Sequence, residues 1–289
     1  MFSNVLVASD LSLASDRVIA CLHGLRPLGT ERIILTHALG IRHLEDIKDL
    51  LASLAEPKLR AQKKAIENQG FTVEIVIAPG VPAAEINRVA KEKRASMIVI
   101  GSHGATLGDE VLLGSTAVEI LHRAETPIFI ARLAFTDEPE HPCEVICTDF
   151  QEHLLFATDF SDIAERAFTY VEQIVCCGGR RVTLLHVQDK SRIHGHLLDS
   201  LDEFNRVDHE RLERLETRLR ELGATEVSIE LPYGLPKQEI IRTAEQDDFT
   251  LIVMGTQGRG FFGEVLLGSV AYHVARRTDV PTLLIPPLR

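Results

Sequence analysis

The feature that most constrains this chain is a repeat. The seventeen residues from Gly101 align without a gap against the seventeen from Gly255, and nine are identical, including the run Glu-Val-Leu-Leu-Gly-Ser. Other landmarks follow the same duplication. Asp10 matches Asp159 and His37 matches His186, both 149 residues apart. Gly80, Pro82, Gly101 and Pro127 match Gly234, Pro236, Gly255 and Pro281, all 154 residues apart. Self-similarity of this length marks a duplicated domain. The change of offset puts a net five-residue insertion in copy two, between His186 and Gly234. Extra length there falls in a polar stretch, where a surface tolerates it.

Each copy alternates strand-like and helix-like segments. In copy one the strand patterns cover 4–9, 31–38, 72–78, 97–100 and 127–131, and the helical patterns cover 15–25, 44–69, 82–93 and 115–124. The long helical stretch suggests a break near Pro57, and Gly70 suits its end. In copy two the strands are expected at 153–157, 181–187, 226–231, 251–254 and 281–285. Its helices are expected at 162–175, 197–222, 236–245 and 269–277. Strands alternating with helices predict an α/β fold, with two tandem doubly wound parallel sheets of five strands each, Rossmann-like in architecture. The stretch from Leu133 to Gln151, with Pro139 and Pro142, reads as a linker. The domains are set at 1–133 and 152–289, with 134–151 between them. The apolar last strands would otherwise be open edges, so an internal pseudo-dimer through them is expected.

The chain's 289 residues suit two ordinary domains, and its net charge of −11 argues against nucleic-acid and anionic-membrane partners. No apolar run reaches the roughly 20 residues that span a bilayer. The first residues lack the basic and long apolar regions of a signal peptide. Five cysteines without framework spacing fit a reducing compartment, and a cytoplasmic location is expected.

The chemistry concentrates at strand ends. Gly101 and Gly104 are followed by Gly114-Ser115, and Gly255 and Gly258 by Gly268-Ser269, with nine residues between second and third glycine in each copy. The first glycine leaves the strand in a tight turn. The second lets backbone N–H groups approach an anion with no Cβ in the way. The third opens a helix, whose free N–H groups and dipole favour negative charge. Glycines that only punctuate turns are the plain alternative. Asp10 and Asp159 follow the first strand of each copy. Either carboxylate could contact ribose, an adenine amino group or Mg2+, or cap the next helix, a task open equally to Ser12, Ser15, Ser161 or Asp162.

On these residues the chain resembles the universal stress protein family in its tandem form, along nearly its whole length. The family's fold is the adenine nucleotide α-hydrolase-like arrangement, and the glycine signature marks members that bind ATP or AMP. The resemblance implies a first nucleotide site from Asp10, Gly101, Gly104, Gly114, Ser115 and Thr116. It implies a second from Asp159, Val187, Gly255, Gly258, Gly268, Ser269 and Val270. Ile100 and Met254 would line the adenine ends. Ser9 and Thr158 beside the aspartates, and His103 and Gln257 within the loops, complete the candidate sets. Copy one departs in having Ala38 where copy two has Val187. Two fewer methyl groups against the base cost about 1 kcal/mol, so copy one is expected to bind more weakly. ATP would bring Mg2+ as an open option. The implied role is a stress-response regulator that signals to an unknown protein partner, with further homo-oligomers an open option.

Other patterns point elsewhere. There is no G-x4-G-K-[ST] and no nucleophile paired with a base, so no catalytic residue is assigned. A slow ATP-hydrolysing enzyme and a nucleotide-independent scaffold are the rival readings. His141, Cys143 and Cys147 lack a clear fourth ligand, so no metal site is assigned. Cys176-Cys177 reads as buried packing, His194 and His196 as surface residues, and 208–220 as a solvated helix face.

Overall fold

The computed structural model describes residues 2–40, 45–102, 113–135, 143–145, 149–259 and 267–288. The chain divides into two compact units, residues 1–148 and 149–287.

The first unit begins with β1 (Asn4–Ala8), whose Val5, Leu6 and Val7 are buried. Apolar side chains on both faces of a strand demand cover on both faces, which only a central parallel strand receives. Helix α1 (Leu13–Ala20) starts at Ser12, whose hydroxyl accepts from Ser15 N–H at 3.2 Å. A short 3-10 helix (Leu22–Leu25) leads to β2 (Arg32–Ala38). There follow α2 (Glu45–Glu67), β3 (Thr72–Ala78), α3 (Pro82–Glu92), β4 (Met97–Gly101), α4 (Ser115–Arg123) and β5 (Ile128–Ala131). All neighbours pair in parallel, in the order β3-β2-β1-β4-β5. The order reverses between β1 and β4. A crevice opens at such a switch point, beyond the carboxyl ends of the strands.

The expected break at Pro57 is absent, and α2 runs through it. Pro57 and Ser53 both face solvent, so the Ser53 carbonyl that loses its donor can bond water instead. Ala55, Leu59 and Ile66 keep the buried stripe intact. Gly70, at φ +86°, follows the helix in the left-handed conformation that favours glycine.

The stretch after β5 is not wholly irregular. β6 (Leu133–Phe135) and β7 (Cys143–Val145) pair antiparallel. Periodicity cannot reveal strands of three residues, so no local pattern pointed to this ribbon.

The second unit repeats the first. It contains β8 (His153–Ala157), α5 (Asp162–Cys176), β9 (Arg181–Leu185), β10 (Gln188–Asp189) and, after a 3-10 turn (Gly195–Ser200), α6 (Leu201–Glu221). Next come β11 (Glu226–Glu230), β12 (Tyr233–Gly234), α7 (Pro236–Gln246), β13 (Leu251–Gly255), α8 (Ser269–Arg277) and β14 (Thr282–Ile285). The parallel order is β11-β9-β8-β13-β14. β10 and β12 form a small separate pair in the region of the insertion. The expected helix from Leu197 is divided, because its first turn is 3-10.

Cys176 and Cys177 are exposed rather than packed. Val171, Ile174 and Val175 occupy the buried stripe of α5, and the next two residues rotate out of it. No helix among the described residues is long and apolar enough to cross a membrane.

Candidate functional site

The strand-end aspartates sit in the same local turn in both units. Asp10 Oδ1 accepts from Ser12 N–H at 3.0 Å, from the Ser12 hydroxyl and from the Ser15 hydroxyl at 2.7 Å. Asp159 Oδ1 accepts from Ser161 N–H at 3.1 Å and from the Ser161 hydroxyl at 2.6 Å. Ser12 and Ser161 are the helix caps. The aspartates therefore do not cap; they hold the residues that do. The intervening residues, Leu11 and Phe160, have φ of 64° and 56°. Left-handed backbone costs a large side chain about 1 kcal/mol or more, so the turn is held from outside. The hydroxyls of Ser9 and Thr158 help, accepting from Leu11 and Phe160 N–H at 3.1 and 3.0 Å.

The glycine loops begin and end alike. Gly114 N–H donates to Ser102 C=O at 2.9 Å, and Gly268 N–H to Thr256 C=O at 2.6 Å. These bonds clamp the start of α4 and α8 against the ends of β4 and β13. Ser102 and Thr256 were not singled out from the sequence, because their contribution is made by the backbone. Helices α4 and α8 start at Gly114 and Gly268 with no side-chain cap. Their first N–H groups thus lack the side-chain acceptor that α1 and α5 possess, and suit an external anion.

In the second unit these parts enclose a cavity of about 560 Å³. Thr158, Asp159, Val187, Met254, Gly255, Gln257, Gly258, Gly268, Ser269 and Val270 all line it. Gly258 lies directly on Asp159: a Cβ there would meet Asp159 Oδ2 at 2.3 Å. Arg259 N–H donates to that same oxygen at 2.7 Å. The Arg259 guanidinium lies 5.5 Å from the Phe160 ring centre. Gly255 has a packing reason as well, since a Cβ would meet Ile163 Cγ2 at 2.8 Å.

In the first unit, Ser9 and Asp10 follow β1 beside Ile100 and Gly101, which end β4. Gly114, Ser115 and Thr116 open α4. Ala38 ends β2, paired with Ala78. The Ser9 hydroxyl donates to Gln62 Oε1 at 2.8 Å, and Gln62 Nε2 donates to Asp16 at 2.8 Å. His103 and Gly104 lie outside the described residues, as do His141 and Cys147.

The second cavity also holds residues that the sequence did not mark as functional. Asp208 is only 8% exposed, not part of a solvated face. It lies four residues before the buried Leu212, so it shares the stripe of α6 that faces the sheet. Its Oδ1 accepts from Arg211 at 2.9 Å, and its Oδ2 accepts from Gln188 Nε2 at 3.0 Å and lies 3.5 Å from His186 Nε2. Burial opposes the charge, but bonds from His186 and Gln188 and the charge of Arg211 prevail and hold the carboxyl below its ordinary value. His186 Nδ1 donates to Thr158 C=O at 2.7 Å, and His37 Nδ1 donates to Ser9 C=O at 2.8 Å. Both histidines thus lock the turn before the aspartate. The one signal for Asp208 was a charge on an apolar stripe.

A separate cluster of His153, Asp247 and Asp248 lies where β8 begins. His153 Nδ1 is 3.3 Å from Asp248, and Arg181 forms an ion pair with the same carboxylate at 3.4 Å.

Fold and site define a class: a tandem Rossmann-like α/β protein with a ligand-sized cavity at the strand ends. The sequence model of the Universal stress protein family matches residues 1–132 and 151–286. The chain belongs to that family, with two tandem domains. It is 28% identical over 225 residues to a universal stress protein of Mycolicibacterium smegmatis, covering 76% of this chain and 71% of that one. It is 32% identical over 149 residues to Universal stress protein YxiE of Bacillus subtilis, covering 46% of this chain and all of the relative. The crystal structure of a universal stress protein from Archaeoglobus fulgidus superposes with a TM-score of 0.70 at 26% identity, covering 98% of this chain and 95% of that one.

Proposed function

We propose that this chain is an adenine-nucleotide-binding regulatory protein of the stress response, with two sites per chain that take ATP or AMP. The observation that carries this reading is the second-unit cavity, where a strand-end carboxylate, a glycine loop and an uncapped helix start converge. Asp159 suits a ribose hydroxyl, which would share or replace the Arg259 N–H. The first N–H groups of α8, with the Ser269 hydroxyl, suit phosphate. Val187 and Met254 form an apolar wall for the base. Mg2+ would accompany ATP, held mainly by the phosphates. Nucleotide seated against the starts of α4 and α8 would change a surface that a protein partner reads.

Titration calorimetry of the full chain tests this. AMP and ATP are expected to bind at two unequal sites, the first weaker by about 5-fold because Ala38 offers less contact than Val187. Gly258→Val forces a side chain onto the Asp159 carboxylate and is expected to weaken the second site by about 10-fold or more. Failure of both nucleotides to bind the unaltered chain would contradict the reading.

A further inference from the structure

We propose that Gln188, oriented by Asp208, reads the base in the second site by accepting a hydrogen bond from the exocyclic amino group of a 6-aminopurine. The inference rests on the nucleotide reading of that cavity and assigns it a chemical selectivity.

Gln188 directly follows Val187, and both line the cavity. Its backbone is fixed, because Gln188 N–H donates to Pro232 C=O at 2.9 Å. The residue is 97% buried, and Nε2 donates to Asp208 Oδ2 at 3.0 Å. An ionised carboxylate only accepts hydrogen bonds, so the amide must turn its NH2 end to Asp208. The carbonyl Oε1 is thereby directed the other way. It has no hydrogen-bond partner among the described residues. Oε1 is not sealed from solvent, so a ligand group that donates can take the place of water there. An amino group on the purine ring does so. An oxo group at the same carbon sets lone pair against lone pair.

The first unit lacks the pair. Leu39 N–H donates to Ala78 C=O at 2.9 Å, which makes Leu39 the counterpart of Gln188. Ala55 stands four residues before the buried Leu59, as Asp208 stands before the buried Leu212. Both positions are therefore polar in one unit and apolar in the other. An aspartate without the amide would lose a donor, and the amide without the aspartate would lose its orientation. The joint change is what a two-residue reading device requires.

The test uses the full chain carrying Gly104→Leu to silence the first site, with AMP and purine riboside 5′-monophosphate as probes. The second probe lacks only the amino group. Calorimetry is expected to give AMP a preference of about 10- to 100-fold. Gln188→Leu, which installs the first unit's residue, is expected to bring the two probes to within about 3-fold, chiefly by weakening AMP. Asp208→Asn, which no longer dictates the amide's direction, is expected to erode the preference too. Circular dichroism checks that each variant is folded, and Gln188→Met replaces Gln188→Leu where it is not. An undiminished preference in these folded variants, or equal weakening of both probes, overturns the inference and leaves the nucleotide reading standing. Failure of AMP and ATP to bind the unaltered chain defeats that reading instead.

Discussion

Asp159 has hydrogen-bond donors on both carboxylate oxygens, which gives it one orientation at the mouth of the cavity. Asp208 is equally committed, deeper in the same cavity, and its lowered pKa makes a prediction about acid stability. A carboxyl depressed in the folded state stabilises the fold above the ordinary aspartate range. That contribution disappears as pH falls through the depressed value. Thermal melts from neutral pH down to about pH 3 are expected to show wild type losing stability more steeply than Asp208→Asn below about pH 4. Parallel curves would show that the Asp208 charge adds nothing to the fold. At this scale the sequence was informative where chemistry is written in residue type. Ten candidate residues of the second unit surround one cavity because glycine spacing and strand ends are local properties. Gln188 and Asp208 were not legible as a pair, since twenty residues and an inserted segment separate them. Their meeting depends on how α6 docks on the sheet.

Elements followed the sequence where periodicity was strong and departed where neighbours overrode it. The five sheet strands of each unit were readable because runs such as Ile33-Ile34-Leu35 are buried on both faces. Helix α2 was readable in extent but not in continuity, because proline's local cost is visible in sequence and the packing that offsets it is not. Pro57 still lacks an N–H and crowds the preceding turn on an exposed face. Pro57→Ala is expected to stabilise the chain by about 1–3 kcal/mol in urea unfolding. Destabilisation would mean that proline's restriction of the unfolded chain outweighs its strain in the helix. The β6–β7 ribbon and the β10–β12 pair were not readable at all. Each is made by pairing between segments of two or three residues, too short for a local pattern to announce.

Taken as a whole molecule, the chain uses one domain plan twice and alters the second where Gln188 and Asp208 line its cavity. The strand-end turn, the locking histidine and the glycine-loop clamp recur in both units. The inserted segment, Gln188 and Asp208 do not. Duplication of this kind preserves the strand-end turn and the glycine-loop clamp and leaves the rest free to diverge. The central claim is that both units bind adenine nucleotide. Mass spectrometry of the small molecules released on denaturing the purified full chain, after saturation with AMP or ATP and removal of excess, tests it most directly. Adenine nucleotide is expected at up to two per chain, with the second-unit share reduced in Gly258→Val. A chain that releases none, and takes up none when AMP or ATP is added, would contradict it.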